Sequence, residues 1–168
     1  MIGAAGGVAQ RDGRTLEPVT TAPLGRVRVL LVDDEVPVLQ SMAAVLEDDC
    51  AVSTAPDGLR ALELLDRGDF DVVCSDYKMP RMNGLELLRK IRERSSEVGF
   101  VLVTGMTDYL RDKVAEQPDG GQFHAVLVKP YDPQQLIESI ERASKFAQMR
   151  RAVGAATSAS KRLRRKGH

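Results

Sequence analysis

Apolar and polar positions in this chain fall in alternating blocks whose periods differ. Val27, Val29, Leu30, Leu31 and Val32 form a short run rich in β-branched residues that stops at Asp33 and Asp34. A near-continuous run of this kind predicts a strand buried on both faces, as in a parallel sheet. Val38, Leu39, Met42, Val45 and Leu46 recur at helical spacing, and residues 51–54 are a short candidate strand. Asp57-Gly58 reads as a turn or cap ahead of the helical positions Leu59, Leu62 and Leu65. Residues 70–74 read as a strand ending at Asp76, and Asn83-Gly84 opens a helix bearing Leu85, Leu88 and Ile91. Residues 100–103 predict a strand ending at Thr104. A weakly amphipathic helix follows, with Leu110 and Val114 as its main apolar positions. Residues 126–128 predict the last strand, which stops at Lys129-Pro130. Pro133 then sits near the first turn of a helix with Leu136, Ile140, Ala143 and Ala147 on one face.

Five strands alternating with five helices imply βαβ units: an α/β, doubly wound, five-stranded parallel sheet covered on both faces. Right-handed crossovers leave few ways to arrange it. Residues 1–25 hold five glycines and two prolines with little periodicity, and are expected to be a disordered leader. The folded unit is expected over 26–147. Residues 148–168, Ala/Ser/Gly-rich and then basic, are expected to be a disordered tail.

Composition changes this picture in two respects. The formal net charge of zero hides a division: residues 148–168 carry seven basic side chains and no acid, leaving a balance of −7 over 1–147. Such a tail would attract a polyanion (nucleic acid, an anionic membrane surface or an acidic partner), or would act only as a solubilising end. No helix-turn-helix pattern, aromatic platform or zinc spacing accompanies it, so sequence-specific DNA binding is not expected. No run approaches the eighteen or so apolar residues of a membrane helix, and no secretory signal is legible. Cys50 and Cys74 lack metal-ligand or redox spacing and read as buried thiols of a reduced, cytoplasmic protein.

The residues that interrupt the apolar strands lie at their C-terminal ends: Asp33, Asp34, Asp76, Thr104 and Lys129. In a parallel α/β sheet these ends share one edge, where ligands bind at the topological switch point. Three carboxylates together would repel one another, and a hard divalent cation resolves the repulsion; Mg²⁺ fits best, since it pairs naturally with phosphate oxygens. The lysine offers a point charge and the threonine a hydroxyl donor. A carboxylate can accept a phosphoryl group as an acyl phosphate. The reading is an aspartate that becomes phosphorylated.

Val32-Asp33-Asp34-Glu35, Ser75-Asp76-Tyr77-Lys78-Met79-Pro80 with Asn83-Gly84, Thr104-Gly105 and Lys129-Pro130-Tyr131, in that order, resemble the receiver domain of bacterial two-component response regulators. The resemblance implies a flavodoxin-like sheet of order 2-1-3-4-5. It implies Asp76 as phosphoacceptor, served by a sensor histidine kinase or phosphotransfer protein. It implies Mg²⁺ held by Asp33, Asp34, Asp76 and the backbone carbonyl of Lys78, with Thr104 and Lys129 on the phosphoryl oxygens. Gly105 would leave the phosphoryl site open, and Lys129-Pro130 would be cis.

The sequence departs from the pattern at Val126, where such domains usually carry an aromatic residue that swings inward when the threonine moves. Lys78, two residues after Asp76, is expected to alter the lifetime of the acyl phosphate. The weak helix after Thr104 is either an ordinary solvated helix or a low-stability switch element. His124 reads as a structural histidine. The implied role is a stand-alone phospho-switch acting through an unidentified protein target, and not an enzyme beyond its own phosphotransfer and dephosphorylation. A phosphorylation-independent pseudo-receiver scaffold and a Mg²⁺-dependent aspartyl-phosphate phosphatase are the alternatives.

Overall fold

The computed structural model describes residues 26–95, 97–105 and 123–165. Five strands, β1 (Val27–Val32), β2 (Cys50–Ala55), β3 (Val72–Asp76), β4 (Gly99–Thr104) and β5 (Ala125–Val128), form one parallel sheet of order β2-β1-β3-β4-β5. Four described helices accompany them: α1 (Val36–Leu46), α2 (Gly58–Arg67), α3 (Gly84–Arg94) and α4 (Pro133–Arg165). The fifth helix expected, with Leu110 and Val114, lies outside the described residues, as does the leader over 1–25.

The run-like strands are the interior ones. β3 and β4 are buried along their whole length and β1 over its last four residues, whereas the edge strands are only partly buried: β2 is buried at its two ends and β5 at alternate residues. Side chains of successive residues point to opposite faces, which divides the core in two. Val29, Leu31, Val72, Cys74, Val101 and Val103 face Leu39, Met42 and Leu46 of α1 and Leu136, Ile140 and Ala143 of α4. Leu30, Val32, Val73, Phe100 and Leu102 face Ala61 and Leu62 of α2 and Leu87, Leu88 and Ile91 of α3. Each fully buried Leu or Phe among them contributes about 1.5–3 kcal/mol through removal from water. Both cysteines are buried and free.

Caps fix where helices begin. Asp57 accepts from the Arg60 amide at 2.8 Å, and Asn83 forms a capping box with Glu86. Asp132 and Gln135 exchange the equivalent pair of bonds ahead of α4.

α4 corrects the sequence reading. The fold was expected to end near residue 148 with a disordered tail, yet the helix runs on to Arg165. The apolar stripe does stop at Ala147, but a helix nucleated by packed residues propagates cheaply through good helix formers. Arg151 also ties the extension to the body, pairing with Asp71 and donating to the Phe70 carbonyl at 3.0 Å.

Candidate functional site

Asp33 follows β1 directly, Asp76 and Thr104 are the last residues of β3 and β4, and Lys129 follows β5. The sheet order reverses between β1 and β3, so the crevice between their C-terminal ends is the switch point. Asp33, Asp76 and Thr104 are all buried. The Lys129 ammonium stands 2.9 Å from Asp76 Oδ1 and 3.5 Å from Asp33 Oδ2.

Local hydrogen bonds aim both carboxylates. Asp33 Oδ1 accepts from the Glu35 amide at 2.9 Å, and Asp76 Oδ2 accepts from the Lys78 amide at 3.0 Å. The Tyr77 amide donates to the Val103 carbonyl at 2.7 Å, and the Lys129 amide to the Thr104 carbonyl at 2.8 Å. The three neighbouring strand ends are thereby held together. The Lys129-Pro130 peptide is cis.

The electrostatics follow from burial. Desolvation raises the Asp33 carboxyl above the ordinary carboxylate range, opposed by the Glu35 amide and Lys129 and reinforced by the charges of Asp76 and Asp34. For Lys129, burial works against the ammonium, but Asp76 and then Asp33 outweigh it and its pKa is raised. The pocket thus holds more negative charge than one ammonium cancels. Its donors are carboxylate oxygens, the ligand type of a hard divalent cation, so Mg²⁺ suits it.

The expected ligand set is not fully gathered. Asp34 is exposed, and it acts on Asp33 only through its charge. Among the described residues no three His, Cys, Asp or Glu side chains come together in a metal-holding group. Lys129 bridges the two buried carboxylates instead. The Lys78 side chain is exposed.

Gly105 has no described atom within 4 Å of where a Cβ would stand, so that flank is open. Gly84 is the residue that sequence reading undervalued. Beyond opening a helix, it lies so close to the phosphoacceptor candidate that a Cβ would stand 2.6 Å from the Asp76 carbonyl oxygen and 2.9 Å from Leu102 Cδ1. The Asn83-Gly84 signal was legible, but a cap accounted for it without this contact. Met79 and Met82 are buried, as ordinary packing expects.

Val126 is half-buried and packs, with Phe123, against the core layer beneath α2 and α3. His124 is structural: Nδ1 accepts from the Phe100 amide at 2.9 Å, and its ring lies 3.7 Å from the Phe146 ring. Burial, with Arg92 and Arg150 adding to it, pushes its pKa down to about 4.

Comparison with known proteins agrees with this geometry. The family model described as response regulator receiver domain matches residues 29–141. The chemotaxis protein CheY of Pseudomonas aeruginosa is 34% identical over 120 residues, covering 69% of this chain and 94% of that protein. The hydrogenase transcriptional regulatory protein HoxA of Cupriavidus necator is 32% identical over 115 residues, covering 68% of this chain; the match spans only 23% of HoxA. A receiver domain protein from Clostridium thermocellum superimposes with a TM-score of 0.66 at 28% identity, over 73% of this chain and 98% of that one.

Proposed function

The chain belongs to the response regulator receiver family, and on that premise we propose that it is a phosphorelay switch in which Asp76 accepts a phosphoryl group. The observation that supports this best is the Lys129 ammonium held between Asp76 and Asp33 at the switch point of the sheet. Phosphoryl transfer asks mainly for in-line positioning and charge neutralisation, and this pocket offers both.

Asp33, Asp34, Asp76 and the backbone carbonyl of Lys78 would hold Mg²⁺, which when bound neutralises charge on the phosphoryl oxygens and the attacking carboxylate. One Asp76 oxygen forms a bond to phosphorus as the P–N bond of a phosphohistidine donor breaks, the imidazole leaving with the electron pair. Lys129 supplies a fixed positive charge to a phosphoryl oxygen. Thr104, at the end of the adjacent strand, supplies a hydroxyl donor to another. The product adds about −1.5 to −2 charges to the sheet edge, enough to bias a neighbouring surface.

This reading places the protein in the cytoplasm, with a sensor histidine kinase or phosphotransfer protein as donor and a further protein as target. Its only turnover is of its own acyl phosphate, whose lifetime the exposed Lys78 ammonium would alter; the dephosphorylation rate of Lys78→Asn reads that effect. Val126 favours one second reading, a scaffold that works without phosphorylation, because the usual aromatic partner of the threonine is missing at that position.

Intact mass after incubation with acetyl phosphate and Mg²⁺ separates the two. A switch gains one phosphoryl group that requires Mg²⁺ and is absent from Asp76→Ala. A chain that takes up neither phosphoryl group nor beryllofluoride is a scaffold.

A further inference from the structure

Arg81 has a backbone φ of 68°, alone among the described non-glycine residues in being positive. The Met82 amide donates to the Pro80 carbonyl at 2.7 Å across it. A bond from residue i+2 back to residue i around a positive φ is the rare, strained form of the γ-turn. A side chain in such a conformation persists only where its surroundings over-determine it.

Those surroundings can be named. The Arg81 guanidinium pairs with Asp57 Oδ2 at 2.7 Å, and Asp57 is itself the N-cap of α2, its other carboxylate oxygen accepting from the Arg60 amide. Met79 and Met82, on either side of the turn, are buried, and Met82 packs closely on Gly58 at the start of α2. The loop base is closed by the Gly84 amide on the Tyr77 carbonyl at 2.9 Å. The strained turn therefore lies within a short loop that leaves Asp76 and is tethered to α2 from outside the site.

We propose that Arg81, held by Asp57, is a positioning residue that fixes the 77–83 loop, and with it the Lys78 backbone beside Asp76, in the geometry that binds the divalent cation. This rests on the receiver reading above. Lys78 is three residues from the turn, and Pro80 between them restricts the chain. Loss of the tether lets the turn relax towards ordinary backbone angles and moves the Lys78 carbonyl.

The test is calorimetric titration of Mg²⁺ into the full chain, with melting temperature measured alongside. Asp57→Asn removes the ion pair while keeping a competent N-cap. Arg81→Ala removes the pair while keeping a Cβ, and so the strain, at the positive φ. Each is expected to weaken Mg²⁺ binding about two- to fivefold, the factor expected of an exposed ion pair. The double variant should be no weaker than the worse single, and Arg81→Lys should restore near-normal affinity.

Unchanged Mg²⁺ affinity in both single variants overturns the proposal while leaving the receiver reading intact. So does a loss that merely tracks the melting temperature and is not rescued by lysine. A wild-type chain that binds no Mg²⁺ and takes no phosphoryl group overturns both.

Discussion

Arg151, on the part of α4 that outruns the sheet, is paired with Asp71, the residue just ahead of β3. Asp71 also accepts from the Arg28 amide at 2.8 Å and the Arg28 guanidinium at 3.3 Å. One half-buried carboxylate thus joins the first strand, the central strand and the last helix at the pole of the sheet opposite Asp76. Its two partners, Arg28 and Arg151, line a cavity of about 430 Å³ whose wall includes Leu65, Phe70 and Ile91.

Asp71→Asn should therefore destabilise the fold and loosen the end of α4. Loss of a charge-assisted cluster of this kind costs about 1–3 kcal/mol. Urea unfolding should show the loss, and circular dichroism at 222 nm should show reduced helicity before the global transition. The pH dependence has a defined sign. Burial raises the Asp71 carboxyl, but bonds from Arg28 and Arg151 outweigh it, so its folded pKa lies below the unfolded value. Its stabilisation is present above the ordinary carboxylate pKa and is lost as pH falls through the lowered one. The wild-type advantage over Asp71→Asn should shrink in acid.

His124 acts in a different window. Its folded pKa of about 4 lies below the ordinary histidine value, so the unfolded chain binds the proton more readily. Stability should fall as pH drops from about 6.5 to about 4, by about 2 kcal/mol once partial exposure of the ring is discounted. His124→Asn keeps an acceptor for the Phe100 amide and removes the titration. Its melting temperature should lack the part of the acid slope contributed by histidine.

Two glycines beside the site should behave in opposite ways. Gly84→Ala forces a methyl into the Asp76 carbonyl and Leu102, and should cost about 2 kcal/mol or more while displacing Asp76. Gly105→Ala meets no described atom and should leave the melting temperature unchanged. Parallel thermal melts and acetyl phosphate reactions on the two variants check both.

Lys129→Met leaves two buried carboxylates facing each other without their ammonium. In chelator its stability should drop by about 2 kcal/mol, since one partner of a buried charge cluster is removed. Mg²⁺ should recover much of that loss. In the wild type, Mg²⁺ at 100 times its dissociation constant should add about 2.7 kcal/mol, and Asp33→Ala should abolish the gain. Thermal melts with and without EDTA measure all three.

Much of this molecule was legible one residue at a time. Burial on both faces leaves an interior strand little room for polar side chains, so the runs ending at Asp33, Asp76 and Thr104 announced β1, β3 and β4 as well as the edge where their polar residues meet. The motif order then named the family. What sequence could not supply was anything set by contact between distant segments. The continuation of α4 beyond Ala147 carries no periodic signal, because it depends on a packed nucleus and on Arg151 reaching Asp71. Asp34 reads the same as Asp33 along the chain, yet only folding buries one and leaves the other exposed. Asn83-Gly84 reads along the chain as a helix opening, and only the fold sets the Asp76 carbonyl against Gly84; nothing in the sequence marks Arg81, whose positive φ and ion pair with Asp57 arise only on folding. Hydrophobic pattern determined the layers and the edge that carries the chemistry. Tertiary structure decided which charges pair there, because pairing depends on ångström distances between residues that the chain holds tens of positions apart.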